Sequence, residues 1–160
     1  MDFGAFGRGE SVNLTYRDLV EGDIAAISAV HRHACLIAYA FMNWSYSEDE
    51  VRDWYAARFR EWDWGRVAAD GPAVVGFVAT RGAHVDQLFV APGHQGRGIG
   101  GTLLAAALAR IPASATLHVF EDNVPARRFY ERCGFHPAGS FFNDDERATE
   151  LVYRRDGKRT

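Results

Sequence analysis

At 160 residues, 48% of them hydrophobic, the chain has material for one well-buried core and too little for two ordinary domains, so a single domain over residues 1–160 is expected. A formal charge of −3 leaves no positive excess for gripping a nucleic-acid backbone or an anionic membrane, which points to a small molecule or a protein segment as partner. The longest apolar run, AVVGFVA at 73–79, is far too short for a bilayer core of about 30 Å, and no membrane span is expected.

The opening MDFGAFGRGE, residues 1–10, mixes glycine and charge without a period and reads as a flexible leader. VNLTYR (12–17) alternates apolar and polar residues and predicts a first strand. From Glu21, EGDIAAISAVHRHACLIAYA sets Ile24, Ile27, Val30, Ala34 and Ile37 at helical intervals, with Asp23 as the expected N-cap. A second helix follows in SYSEDEVRDWYAARFREW: Ser47 with Glu50 makes a capping box, and Val51, Trp54, Tyr55 and Phe59 share a face. Between Arg66 and Val90, the runs RVAAD, AVVGFVAT and HVDQLFV are parted by GP and RG, the pattern of antiparallel strands joined by short turns. Helix GTLLAAALARI, strand ATLHVF, helix PARRFYER and two strands near AGSFF and TELVYRR complete the order, ahead of a flexible tail at 156–160. This order, β-α-α-β-β-β-α-β-α-β-β, predicts an α+β fold with helices against a mixed sheet.

Cys35 and Cys133 stand far apart, without metal-ligand spacing or a secretory signal ahead of them, so reduced thiols in a cytoplasmic protein are expected. Cys133 precedes Gly134, the expected helix C′ residue, and has no evident partner base, which assigns it to packing. His31 and His33, two apart, fall on different sides of a helix, and no metal is expected.

The stretch VAPGHQGRGIGGTLL, 90–104, sets glycines at alternate positions between an apolar strand and an apolar helix. Such a turn lets backbone N–H groups converge on an anion at the positive end of the helix dipole, although a tight connection needing only positive φ has the same composition. A Walker loop is excluded, because Gly100 is followed by Gly101 and Thr102 and the sole lysine is Lys158. A dinucleotide fingerprint is met in letters by Gly96, Gly98 and Gly101, with Glu121 ending the next strand. Against it, APGHQ intervenes where that fold turns at once, and the 39 residues after Glu121 cannot hold a second half.

A third scheme rests on resemblance. LFVAPGHQGRGIGGTLL followed by LHVFEDNVPARRFYERCGF resembles the GNAT (Gcn5-related N-acetyltransferase) superfamily. Its acyl-CoA signature Gln/Arg-x-x-Gly-x-Gly/Ala falls on Gln95, Gly98 and Gly100, and its second pattern on Asn123, Ala126, Phe129, Tyr130, Gly134 and Phe135. The resemblance implies a three-layer α+β fold: a mostly antiparallel mixed sheet of six to seven strands, flanked by about four helices, with a splayed central strand pair. It implies an acetyl-CoA-dependent N-acetyltransferase that moves an acetyl group to a primary amine of a small molecule or peptide. The alternative is a non-catalytic CoA- or peptide-binding module of the same fold.

By the same resemblance, the turn of Gln95, Gly96, Arg97, Gly98, Ile99 and Gly100, with Gly101, holds the CoA pyrophosphate. The main chain of Leu88, Phe89 and Val90 pairs with the pantetheine arm, and Asn123, Ala126, Phe129 and Tyr130 border the coenzyme. Arg97, Arg127 and Arg128 could add phosphate contacts, and Asn123 suits a helix cap equally well. The Val90 N–H is the candidate oxyanion donor and Tyr130 the candidate acid for the departing thiolate.

For the base, even spacing predicts that His84, Asp86, Leu88 and Val90 share one strand face. His84, with an ordinary pKa of about 6.5, ranks first, Asp86 second and Glu121 third. Phe41, Trp44 and Tyr46 lie outside the helical period and are candidates to line the acceptor slot, together with Glu121; Glu48, Asp49 and Glu50 are assigned to the helix N-terminus. The resemblance also allows a homodimer paired at the edges of the late strands.

Overall fold

The computed structural model describes residues 13–157; the expected leader lies outside them, as do Val12 of the expected first strand and the last three residues of the expected tail. Seven strands form a single sheet: β1 (Leu14–Asp18), β2 (Trp64–Asp70), β3 (Ala73–Arg81), β4 (His84–Val90), β5 (Ala115–Phe120), β6 (His136–Asn143) and β7 (Ala148–Arg155). The order is β1-β2-β3-β4-β5-β7-β6, antiparallel throughout except between β4 and β5. Four helices accompany it: α1 (Ile24–Ala38), α2 (Glu48–Arg58), α3 (Ile99–Arg110) and α4 (Val124–Arg132). Among the described residues no helix is long and apolar enough to cross a membrane.

Alternation along the central strands builds two cores. Val67 and Phe77 point to one face, where Ile27 and Val30 of α1 and Val51 and Tyr55 of α2 cover them. Their neighbours Ala68 and Val78 point to the other, against Ile99, Leu103, Leu104 and Ala107 of α3. Because both faces are covered, β3 is buried from Val75 to Thr80, which explains its unbroken apolar run. Strand β6, at the open edge beyond β7, is exposed along nearly its whole length.

The helix ends follow local chemistry. Ser47 accepts from the Glu50 N–H while Glu50 accepts from the Ser47 N–H, so both halves of the capping box form. Asp23 does not cap α1 as expected. Its carboxylate turns back to the Val20 N–H at 2.9 Å and makes a two-pronged pair with Arg17, closing a 3₁₀ turn ahead of the helix. Helix α4 ends on Gly134 at φ 91°, where Gly134 donates to Glu131 O and Phe135 to Tyr130 O, a Schellman pair.

Two irregularities shape the centre of the sheet. Strands β4 and β5 pair only at their start, His84 with Thr116, and then diverge. On the other side of β4, Thr80 faces Val85 while Ala79 faces Gln87, so β4 holds one extra residue, a β-bulge at Asp86.

Candidate active site

Where β4 and β5 part, main-chain groups lose a partner. Gly76 and Val90 form a widely spaced pair, flanked by the bond from the Ala91 N–H to Val75 O at 2.8 Å. The N–H and C=O of Val90 therefore turn away from β3 into the gap, and those of Leu88, opposite Val78, do the same. Phe89 instead exchanges its main-chain bonds with Phe77. Gln95 Nε2 donates to Val90 O at 3.1 Å, and the Val90 N–H, like that of Leu88, faces the gap.

The glycine turn closes the end of this gap. Gly96 and Gly98 sit at φ 78° and 82°, in the left-handed region that L side chains avoid, and Gly98 is the N-cap of α3. The Thr102 N–H makes the first helical bond, to Gly98 O, so the amides of Ile99, Gly100 and Gly101 have no intrahelical acceptor, and no side chain caps them. This 12-residue helix thus presents free N–H groups and its positive dipole end beside Leu88 and Val90, a ready anion site. Gln95, Gly96, Gly98, Ile99, Gly100 and Gly101 line the adjoining cleft, of about 2030 Å³. Arg97 is half-buried and off the cleft wall, and Arg127 is engaged by Tyr153 Oη and Glu121 O.

Across the gap stands α4. Asn123 Oδ1 accepts from the Ala126 N–H at 3.3 Å, so the cap forms, and Asn123, Ala126 and Phe129 all line the cleft. Tyr130 lines it too, packed edge-on to Phe129 and Phe135. Burial holds its phenol well above the ordinary range, with Cys133 adding to the effect, so the hydroxyl keeps its proton at neutral pH.

The expected base face does not exist. The bulge at Asp86 reverses the alternation: His84 and Asp86 point to the side of α1 and α2, and beyond the bulge Gln87 and Phe89 take over that side. Leu88 and Val90 belong to the opposite core. Asp86, with its side chain 3% exposed, is bound by Arg58 through two bonds of 2.8 Å, by Trp62 Nε1 at 2.8 Å and by Arg81 at 3.1 Å. Burial raises its pKa, but the bonds from Arg58 and Trp62 and the charges of both arginines outweigh it and hold the carboxyl below its usual range. An anion so fully engaged is a strut between α2 and β4, not a proton acceptor.

His84 Nδ1 bonds Thr116 Oγ1 at 2.9 Å at the closed vertex of the gap, and burial, with His118 at 4.7 Å, pushes its pKa down to about 4. It stands six residues from Val90, roughly 20 Å at about 3.3 Å per residue. Glu121 is exposed and lines a separate, smaller groove behind Phe41 and Trp44.

Phe41, Trp44 and Tyr46 line the cleft. Trp44 packs edge-on to Tyr46, whose hydroxyl donates to Glu146 at 2.9 Å. Trp54 and Ile37, expected in the core, are 45% and 64% exposed and border the same cleft. The residue the sequence reading passed over is His31, weighed there only as a metal ligand. It points from α1 into the cleft, 4.4 Å from Phe89, with Trp44, Trp54 and Tyr55 around it. The available signal was its place seven residues after Ile24 and four after Ile27, a polar ring on the apolar stripe. Among the described residues no cluster of three or more His, Cys, Asp or Glu could hold a metal ion.

A parted parallel pair beside an uncapped helix N-terminus, with a protonated phenol across the gap, is an arrangement suited to acyl transfer from a phosphate-bearing carrier. A family model described as Acetyltransferase (GNAT) family matches residues 32–135, and the chain belongs to that family, an N-acetyltransferase by class. Peptidyl-lysine N-acetyltransferase YiaC of Escherichia coli is 31% identical over 133 residues, 81% of this chain and 88% of that protein. Peptidyl-lysine N-acetyltransferase YjaB of Salmonella typhimurium is 41% identical over 71 residues, an alignment spanning 44% of this chain and 48% of YjaB, about half its length. The solution structure of apo-form YjaB from Escherichia coli superposes with a TM-score of 0.75 at 26% identity, covering 91% of this chain and 99% of that one. A structure of yncA from Salmonella typhimurium with its cofactor acetyl-CoA shares the fold, with a TM-score of 0.70 at 20% identity over 92% of this chain and 96% of that one.

Proposed function

We propose that the acceptor is the side-chain amine of a lysine in a peptide or protein. The observation that supports this choice is the charge at the acceptor mouth. Glu50 and Asp53 from α2, Asp145 and Glu146 from the β6–β7 turn and Glu150 from β7 border the cleft around Trp44 and Tyr46. A lysine has an aliphatic stem that suits aromatic walls and an ammonium that suits a carboxylate rim. Two relatives bear the name peptidyl-lysine N-acetyltransferase, in line with this reading.

In the reaction, acetyl-CoA lies with its pyrophosphate on the amides that follow Gln95 and its pantetheine along Leu88 and Val90. The Val90 N–H receives the oxyanion as the amine attacks the thioester carbonyl, and the Tyr130 hydroxyl protonates the thiolate that leaves. Asn123, Ala126 and Phe129 flank the carrier. The free thiols Cys35 and Cys133 fit a reducing compartment, and we assign the protein to the cytoplasm on that ground.

The test is transfer from acetyl-CoA to peptides with a blocked N-terminus and one lysine, read by mass spectrometry against polyamines, free amino acids and lysine-free peptides. Acetyl-lysine in the blocked peptides is the expected result. Turnover confined to small amines or to free N-termini would refute the lysine assignment while leaving the family chemistry intact.

A further inference from the structure

We propose that His31 takes the proton from the attacking amine, and that Tyr55 and Gln87 hold it in the tautomer this requires. The inference rests on the amine-acetylation reading above and assigns the one role that His84, Asp86 and Glu121 cannot fill from where they stand.

Three side chains drawn from three elements, His31, Tyr55 and Gln87, form a continuous chain of contacts. Gln87 Oε1 accepts from the Tyr55 hydroxyl at 3.2 Å, so the one proton of that hydroxyl is committed to the amide. Tyr55 Oη also contacts His31 Nδ1. With its proton already spent, Tyr55 must accept there, and His31 must carry its hydrogen on Nδ1. The lone pair of the neutral ring is then on Nε2, which has no hydrogen-bond partner among the described residues and belongs to a side chain on the cleft wall. The bulge at Asp86 is what makes the chain possible. Without the extra residue, Gln87 would point into the opposite core, away from Tyr55.

Position agrees with the role. His31 lies against Phe89, whose neighbour Val90 turns its N–H into the gap, and Trp44 and Trp54 flank the approach from the acidic mouth. An amine that passes these aromatics toward Val90 passes the His31 ring. Ionisable groups around the ring come from α2 and β4: Tyr55 touches it, and Glu50, Asp53, Arg58 and Asp86 line the same wall, with Arg58 and Asp86 already paired to each other. Burial pushes the His31 pKa down to about 4, so at neutral pH the ring enters the reaction unprotonated.

The step balances as follows. The amine nitrogen bonds to the thioester carbonyl carbon, and the carbonyl π electrons move to oxygen, beside the Val90 N–H. That nitrogen, now cationic, is far more acidic than a free alkylammonium, so a weak base suffices, and His31 Nε2 takes its proton. Collapse breaks the C–S bond, the thiolate takes the Tyr130 proton, the imidazolium releases its own to solvent in the cleft, and the Tyr130 phenolate takes one back from that solvent, so both side chains end as they began. The products are the amide and CoA thiol.

The experiment uses the whole chain, acetyl-CoA and a blocked lysine peptide in single-turnover mode, so that product release does not mask chemistry. His31→Ala and the volume-keeping His31→Gln should lower the acetyl-transfer rate about 10²-fold or more, with acetyl-CoA affinity by calorimetry unchanged. Added imidazole should restore His31→Ala turnover saturably, a response that a packing role for the ring would not give. Tyr55→Phe, which frees the tautomer, should cost about tenfold in rate with little change in KM. Either His31 variant within threefold of the natural rate, or a loss that imidazole does not repair and that follows a loss of carrier affinity, overturns the assignment. A natural protein that binds acetyl-CoA yet acetylates no amine refutes the function itself, so the two failures are told apart.

Discussion

Tyr130 is the residue whose chemistry and surroundings agree most fully. Its hydroxyl is kept protonated by burial, and the residue lines the cleft from the helix that flanks the parted strands. Tyr130→Phe removes the proton and keeps the ring, so kcat should fall about 10²-fold with acetyl-CoA affinity nearly constant. An unchanged kcat under conditions where chemistry limits the rate would remove Tyr130 from the mechanism. Asp86 offers the opposite case, a carboxylate in the cleft whose bonds are all structural. Asp86→Asn leaves Arg58 and Arg81 facing a neutral amide, and the expected cost is about 3 kcal/mol in urea unfolding. Wild-type stability together with a lost acidic limb in the rate profile would reinstate Asp86 as a base. The cleft positions of Tyr130 and Asn123 were legible through the family resemblance, whose motif is local, a cap followed by a helix turn. His31 was not, because its meaning arises only when Tyr55, Gln87 and Phe89 arrive from other elements.

At the scale of elements, the Ser47 cap and the Gly134 helix end followed the sequence, while the expected Asp23 cap and the strand parity did not. Ser47, Gly98 and Gly134 act through their own backbone neighbourhood, so residue type alone announces them. The run HVDQLFV contains no glycine or proline to mark a bulge. The extra residue appears only in the pairing of β4 with β3, and it moved Asp86 and His84 off the face shared by Leu88 and Val90. The glycine turn provides the test at this scale. A Cβ on Gly98 would meet nothing within 4 Å, so Gly98→Ala acts through φ alone. Forcing an L side chain to 82° costs about 1–2 kcal/mol, which the turn can relieve by rotating its amides out of convergence. Acetyl-CoA should then bind about tenfold more weakly, with the single-turnover rate at saturation little changed. Undiminished affinity by calorimetry would show that these amides do not hold the carrier.

Over the described residues, helices cover both faces of the central strands and β4 and β5 part beside the cleft, so ligand chemistry and fold stability draw on the same buried groups. His31 and His84 both sit in that region with pKa values pushed from the ordinary 6.5 down to about 4. In the unfolded chain each takes up a proton as the pH drops through 6.5, whereas the folded protein resists until about 4. Between those limits the unfolded state holds more protons, so stability is complete above 6.5 and declines with acid, by at most about 1.4 kcal/mol per pH unit for each ring. Asp23, Asp63 and Asp86 have depressed values, and their contribution persists above 3.8 and fails only below it, so the upper window belongs to the histidines. His84, with part of its ring open to the cleft, contributes the smaller share. From pH 7 to pH 4.5 the unfolding free energy should fall on the order of 3–5 kcal/mol, a large part of a typical domain's total. Urea midpoints at several pH values measure this fall, and the pH at which the slope sets in identifies the groups. His84→Gln should reduce the slope between 6.5 and 4.5, and His31→Gln should reduce it more. A midpoint that stays constant to pH 4.5 and then collapses near pH 3.5 would place the acid sensitivity on the carboxylates and leave both imidazoles with solvent enough to titrate normally.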